Sequence, residues 1–222
     1  RKHSKKKLNL SFDEWNVWYH SNEQDKQVQS ENRWGSRLHL LEDVYNFEDA
    51  LLIGSLLITL LRNSDRVRIA CLAQLVNVIA PIMTSPTGCW AQTIYWPFLH
   101  ASQYGRGVAL KPVVHSPSYH CSEFDNAPVL DAAAVLNDQG GLTVFAVNRS
   151  LEDDLQLTCD LRAFEGLRFA EHIVLHHDDV KAINTEQHPD SVMPVSRNGC
   201  AADNGRFEIR IPALSWNVLR FS

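Results

Sequence analysis

The chain has 222 residues, 45% of them hydrophobic and 21% charged, a composition that excludes a disordered chain and leaves room for one large domain or two small ones. A net charge of −5 and a pI of about 6.0 argue against general affinity for nucleic acid or acidic membranes. Five cysteines, without the short spacings of a zinc site or a redox pair, fit reduced thiols in a cytosolic protein.

The chain opens on a basic run, Arg1 to Lys7, read as a solvated lead-in to a strand and not as a phosphate-binding patch. Leu8, Leu10 and Phe12 then alternate with Asn9, Ser11 and Asp13. This is the period of a strand, in which Glu14 continues the apolar face and Asp13 points the other way. The two acids therefore cannot form a catalytic pair with each other. Trp15 and Trp18 flank Glu14 and offer faces for the C–H side of a sugar ring. A polar stretch, Ser21 to Arg37, is long enough for a functional loop above the strand's C-terminal end.

Asn46 is placed to cap a helix, with Asp49 three residues on, and the apolar run continues to about Arg62. Its near-continuous apolar character predicts burial on more than one side. Although Ala50 to Leu61 is the most apolar run, it falls short of the about 18 residues a membrane span needs. The chain does not begin with Met, so a missing signal peptide carries little information. Arg66 to Asn77 reads as a second, buried strand. Strand, helix and strand together form a βαβ unit, which implies parallel strands whose C-terminal ends gather the chemistry, with Glu14 and Gln74 both there.

Ala80 to Gly107 reads as irregular, interrupted by prolines and glycines and rich in aromatics: Trp90, Tyr95, Trp96, Phe98 and Tyr104. Packing between two domains accounts for most of these better than sugar stacking does. After Pro112 the pattern changes to short strands: 129–136, 142–148, 155–161, 172–177, 207–211 and 215–221. Asp138-Gln139-Gly140-Gly141 reads as a hairpin turn, and Phe207, Ile209 and Ile211 alternate with Glu208 and Arg210. This half is expected to be an antiparallel β-sandwich. Asn148-Arg149-Ser150 matches a glycosylation sequon at a strand end.

Glycoside hydrolysis with retention needs two carboxyl groups about 5 to 5.5 Å apart, of which Glu14 can be only one. An acid at a strand end also serves often as a salt-bridging or loop-orienting group. Four runs bear on the choice: LSFDEWNVWYH at Leu10 to His20, LLEDVYNFEDALL at Leu40 to Leu52, RIACLAQLVNVIAPIMT at Arg68 to Thr84 and QTIYWPFLHASQYGRG at Gln92 to Gly107. Together they closely resemble the α-L-arabinofuranosidases of glycoside hydrolase family 51, and the likeness continues more weakly to Trp216-Asn217-Val218-Leu219.

The resemblance implies a (β/α)8 barrel followed by an antiparallel jelly-roll-type β-sandwich, with residues 1–107 as the end of the barrel and 108–222 as the sandwich. It implies retaining hydrolysis of terminal α-L-arabinofuranosyl units. Glu14 then falls on the family's nucleophile, and Trp18 and Gln74 on its sugar-contacting positions. The partners it implies are an arabinofuranose-containing carbohydrate, the N-terminal part of the same enzyme and further copies of the chain, in the cytoplasm and with no cofactor, metal, nucleic acid or membrane.

One departure stands out. The family's acid/base glutamate lies in a Gly-Asn-Glu motif, which this chain lacks; its one Asn-Glu pair is Asn22-Glu23. A full barrel takes about 250 residues, so residues 1–107 are enough for its last two strands only. The expectation is the C-terminal part of a longer enzyme, supplying the nucleophile and inactive alone. The rival is a non-catalytic carbohydrate-binding or assembly module. A metal site at His176, His177, Asp178 and Asp179 is disfavoured because adjacent residues of a strand face opposite ways. A Cys/His nucleophile at His115, His120 and Cys121 is disfavoured because no orienting Asp or Asn stands out in the sequence.

Overall fold

Parallel pairing of two strands that flank a long helix organises the first half of the chain. The structure, a computed structural model, describes residues 6–18, 20, 23, 26, 27, 30, 31 and 40–222. Strand β1 (Leu10–Trp15) pairs in parallel with β2 (Val67–Leu72), as expected, with a register shift between Phe12 and Trp15. Between them runs helix α1 (Phe47–Arg62). Asn46 caps it: its side chain accepts from Asp49 N, and the Asp49 carboxylate accepts from Asn46 N, a complete capping box. Two further N-terminal donors bond outside the helix, Phe47 N to Ala182 O and Glu48 N to Val180 O, both 2.9 Å.

Helix α1 is buried on two faces. Phe47, Ala50, Leu51 and Ile58 pack with Phe145, Val147, Trp216 and Val218, while Ile53 and Leu57 pack with Trp15, Val17, Tyr45 and Ile94. At its last turn Arg62 forms an ion pair with Asp131 and donates to Ala132 O at 3.0 Å.

Several expectations need correction. The β2 region is shorter than 66–77 and half exposed, with Ile69 open to solvent, and the Leu8, Leu10 and Phe12 side of β1 is exposed as well. Among the described residues these two strands pair only with each other and α1 leaves one face bare, so alternation correctly marks an apolar face without supplying its cover. The stretch 80–107 is not irregular. It holds a hairpin, β3 (Ile82–Thr84) with β4 (Cys89–Ala91), and helix α2 (Tyr95–Tyr104). Pro97 is third in that helix, where no backbone N–H is required, so it does not interrupt it. Most of the polar stretch 21–37, Asn22 included, and Arg1 to Lys5 lie outside the described residues; within the stretch, residues 23, 26, 27 and 30 are helical, supported by the Glu23–Lys26 and Gln27–Glu31 pairs.

The second half contains β5 (Val108–Leu110), β6 (Ser118–Tyr119), β7 (Ala127–Pro128), β8 (Leu130–Leu136), β9 (Leu142–Asn148), β10 (Leu155–Asp160), β11 (Phe169–His176), β12 (Val195–Arg197), β13 (Cys200–Asp203), β14 (Arg206–Ile211) and β15 (Ser215–Phe221). A six-stranded antiparallel sheet, β12-β11-β15-β9-β8-β5, faces a three-stranded one, β10-β14-β13. The core between them holds Leu142, Phe207, Ile209, Ile211, Leu219 and Phe221. Since the other face of the larger sheet is covered by α1, its central strands are buried throughout, which explains the unalternating LDAAAVL of β8. The β8–β9 turn is the one expected, with Asn137 N bonded to Gly141 O and Gly140 at φ +84.

Helix α2 closes the assembly, with Trp96 and Tyr104 against the second half of the chain and Phe98 against the first. Trp96 Nε1 donates to Val192 O at 3.0 Å, Phe98 meets Trp15, and the Arg220 guanidinium lies 4.4 Å from the Tyr104 ring centre. His100 accepts from Trp216 Nε1 at 3.1 Å. Asn148 is fully buried and donates to the carbonyls of Asp153 and Pro212, so the sequon is no glycan acceptor in this fold. His176 and Asp178 form an exposed contact, and His177 Nδ1 accepts from Asp179 N. His120 meets Asp125, and Cys121 Sγ meets Phe124 O, both within a surface loop.

Two predictions follow from this packing. A Cβ on Gly54 would stand 2.6 Å from Trp216 Cε3. Gly54→Ala should therefore lower stability by about 1–3 kcal/mol through overpacking, although alanine is favoured in helix interiors by about 1 kcal/mol. An unchanged or higher urea midpoint contradicts the close contact. Burial also pushes the His100 imidazole down from 6.5 to about 4, against a weaker upward pull from Glu171. Its neutral folded form then contributes stability present above the unfolded value, and this is lost as pH falls from about 6.5 to about 4, by up to roughly 3 kcal/mol. The urea midpoint should drop on going from about pH 7.5 to about pH 5, and His100→Gln should shrink that drop; equal drops in both proteins would exclude His100 as its source.

Candidate functional site

Glu14 is the penultimate residue of β1 and is exposed. Its neighbour Trp15 pairs with Leu72 of β2, and two residues past that strand lies Gln74, also exposed. Parallel pairing thus brings Glu14 and Gln74 to the same end of adjacent strands. Trp18 follows in the loop after β1 with 53% of its surface open.

Trp15 departs from the sugar-stacking expectation. It is only 7% exposed and packs among Val17, Tyr45, Ile53 and Leu57, with its ring 6.5 Å from that of Phe98. One position past Glu14, Trp15 points to the opposite face of β1, where Ile53 and Leu57 of α1 cover it. Of the two tryptophans, Trp18 alone keeps an open indole face.

A polar scaffold that sequence reasoning missed holds these strand ends. Asn16 Nδ2 donates to Ala73 O at 2.6 Å and to Ile79 O at 2.5 Å, while its Oδ1 accepts from Val17 N. The amide therefore clasps both ends of the loop that carries Gln74, whose own N–H bonds to Ile79 O at 3.1 Å. Gln92, buried, does the same for a second pair of loops: Oε1 accepts from Tyr45 N, and Nε2 donates to Asp43 O and Ala80 O. The Tyr45 hydroxyl donates to Val17 O at 2.7 Å. Burial, followed by the nearby Asp43 and Asp49 carboxylates, raises that phenol far above its ordinary range, so it acts as a neutral donor.

His20 joins the scaffold through Nε2 to the Asp49 carboxylate at 2.9 Å and through its backbone N–H to Asp43 at 3.1 Å. Asp49 thereby serves two elements, the α1 cap and the loop after β1. Its cap role is legible from spacing; the partnership with His20, across 29 positions, has no local signal.

The arrangement offers an accessible carboxylate, an open aromatic face and a carboxamide at one end of a parallel strand pair. A carboxylate can attack carbon or take a proton, an indole face packs on C–H groups, and a carboxamide both donates to and accepts from hydroxyls. Among the described residues no group of three His, Cys, Asp or Glu side chains is placed to hold a metal ion, and no helix is long and apolar enough to cross a membrane.

Comparison with known proteins adds to this geometry. Residues 13–215 match the family model described as the alpha-L-arabinofuranosidase C-terminal domain. The chain is 54% identical over 222 residues to an intracellular exo-alpha-(1->5)-L-arabinofuranosidase of Halalkalibacterium halodurans, covering 99% of this chain and 43% of the relative. It is 53% identical over 219 residues to intracellular exo-alpha-(1->5)-L-arabinofuranosidase 1 of Bacillus subtilis, covering 98% and 43%. The fold superimposes on a family 51 alpha-L-arabinofuranosidase of Bifidobacterium longum with a TM-score of 0.88 at 39% identity, covering 100% of this chain and 45% of that one. The chain therefore spans less than half the length of the relatives it matches.

The clasp at Asn16 yields a direct test. Asn16→Asp preserves shape but sets a carboxylate against two carbonyl oxygens, and stability should fall by about 1–3 kcal/mol. Urea unfolding measures this, and a midpoint equal to that of the parent removes Asn16 from the scaffold.

Proposed function

Because this chain belongs to the α-L-arabinofuranosidase C-terminal domain family, we propose that it is part of a retaining, exo-acting glycoside hydrolase of family 51. The enzyme releases terminal, non-reducing α-L-arabinofuranosyl residues from arabinose-containing oligo- and polysaccharides. The observation that carries the reading is the exposed Glu14 at the C-terminal end of β1, with Gln74 at the same end of the parallel neighbour. Chemistry at that end of parallel strands is what a (β/α)8 barrel provides.

In this reading β1 and β2 are the last two strands of such a barrel, residues 1–107 its terminal portion and 108–222 a jelly-roll-type sandwich. The N-terminal part of the same enzyme covers the bare side of β1 and supplies the acid/base carboxyl. Glu14 attacks the anomeric carbon as the other carboxyl protonates the leaving oxygen. The glycosyl ester so formed is hydrolysed by water, which the second carboxyl deprotonates, so configuration is retained. Trp18 packs against the sugar or its leaving group, and Gln74 hydrogen-bonds a sugar hydroxyl. Relatives named intracellular and five cysteines without a disulfide support a cytoplasmic setting, and the enzyme acts as a homo-oligomer.

In the enzyme that joins this chain to its N-terminal part, Glu14→Ala should lower kcat on an aryl α-L-arabinofuranoside by about 10⁴-fold or more with KM little changed. Normal turnover in that variant sinks the assignment. Azide added to Glu14→Gly should restore reaction with inverted product, as a lost nucleophile requires. Aryl xylosides and glucosides should be poor substrates, and the 222-residue chain alone should show no turnover.

A further inference from the structure

The β11–β12 connection, residues 180–192, leaves the sandwich and grips the β3–β4 hairpin at both ends. Glu186 Oε1 accepts from Ser85 Oγ at 2.7 Å and from Thr87 Oγ1 at 2.5 Å. Those residues form the hairpin turn, in which Ser85 N bonds to Gly88 O and Ser85 Oγ accepts from Gly88 N. A Cβ on Gly88 would lie 3.0 Å from Glu186 Oε1, so carboxylate and turn are in close contact. At the far end of β4, Asn184 Nδ2 donates to Ala91 O while Asn184 Oδ1 holds Val192 N at 2.8 Å. The two hydroxyl donors also hold the Glu186 carboxyl below its ordinary range, which fits an ionised acceptor.

The hairpin in turn holds the loop that carries Gln74. Val76 bridges to Ile82, and Asn77 N donates to Ile82 O at 2.8 Å. The Asn77 amide pairs twice with Thr84: Oδ1 accepts from Thr84 N at 2.8 Å and Nδ2 donates to Thr84 Oγ1 at 3.0 Å. Thr84 adjoins Ser85. Two sets of hydrogen bonds, joined by the Thr84–Ser85 peptide link, thus connect a carboxylate of the second half with Asn77 in the 73–79 loop.

We propose that Glu186 is a positioning residue: by fixing the Ser85–Gly88 turn from the sandwich, it holds the Gln74 loop in place and so sets how tightly the terminal sugar is bound. This rests on the reading of Gln74 as a sugar-contacting residue. It gives the sandwich a part in substrate binding that requires no contact between sandwich and sugar.

The test uses the complete enzyme and two readouts. Amide hydrogen exchange over 73–80 should quicken about tenfold in Glu186→Ala, less in Glu186→Gln, with 142–148 unchanged. KM for an aryl arabinofuranoside should rise about fivefold in Glu186→Ala with kcat within about twofold, and Ser85→Ala combined with Thr87→Val should reproduce this. In a Gln74→Ala background the same Glu186 substitution should change KM by less than about twofold, because the two act as one unit. Unchanged exchange over 73–80 overturns the Glu186 link whatever the substrate. Multiplying KM effects in the double variant overturn the route through Gln74. A parent enzyme without arabinofuranosidase activity overturns the functional reading and the sugar half of the proposal, while exchange still decides the link itself.

Discussion

Helix α1 must satisfy two partners at once. One face meets the six-stranded sheet, with Gly54 against Trp216, and another meets the loop and strand end around Trp15, Val17 and Ile94. Interiors pack at crystal-like density, so neither contact can shift without the other. The position of β1, and of the carboxylate near its end, is thereby referred to the sandwich through α1, with α2 as a second link, since Phe98 meets Trp15 and His100 meets Trp216. The capping box fixes where that helix begins, and the 180–183 segment, which takes its first backbone donors, fixes its tip to the same sheet.

Around this helix the connecting loops are anchored at buried points such as Ala73, Ile79, Asp43 and Tyr45, and buried peptide groups must find partners. Three carboxamides meet that requirement: Asn16 for 73–79, Gln92 for 43–45 and Ala80, and Asn184 for Ala91 and Val192. Each has donor and acceptor on one short side chain, which lets it serve two segments. One of the loops so tied carries Gln74, and Asn16 lies two residues before Trp18, so the scaffold adjoins the proposed sugar contacts.

The elements with a long, unbroken pattern were legible. The cap at Asn46, the C-terminal end of α1 at Arg62, and the bounds of β9 and β15 agree with the sequence reading. Strands β5, β12 and β13 were not legible, since three or four residues hold too little period to detect. Helix α2 was hidden by Pro97, because a proline in the first turn and one in the interior look alike until the start of the helix is known. The polar scaffold left no local mark either: Asn16 meets Ile79 across 63 positions, and Glu186 meets Ser85 across 101.

The sequence by itself determined the alternation that sets Glu14 apart from Asp13, the cap and extent of α1, the change to short strands after Pro112, and the four runs that carry the family resemblance. These are local patterns, encoded by neighbours in the chain. Only the tertiary structure decided that Trp15 turns inward while Trp18 stays open, that the β1 face bearing Leu10 and Phe12 is bare among the described residues, and that a sandwich carboxylate reaches the turn beside the Gln74 loop. Periodicity states which side chains share a face, whereas what covers that face, and which distant group answers a buried polar atom, is set by contacts between segments far apart in sequence.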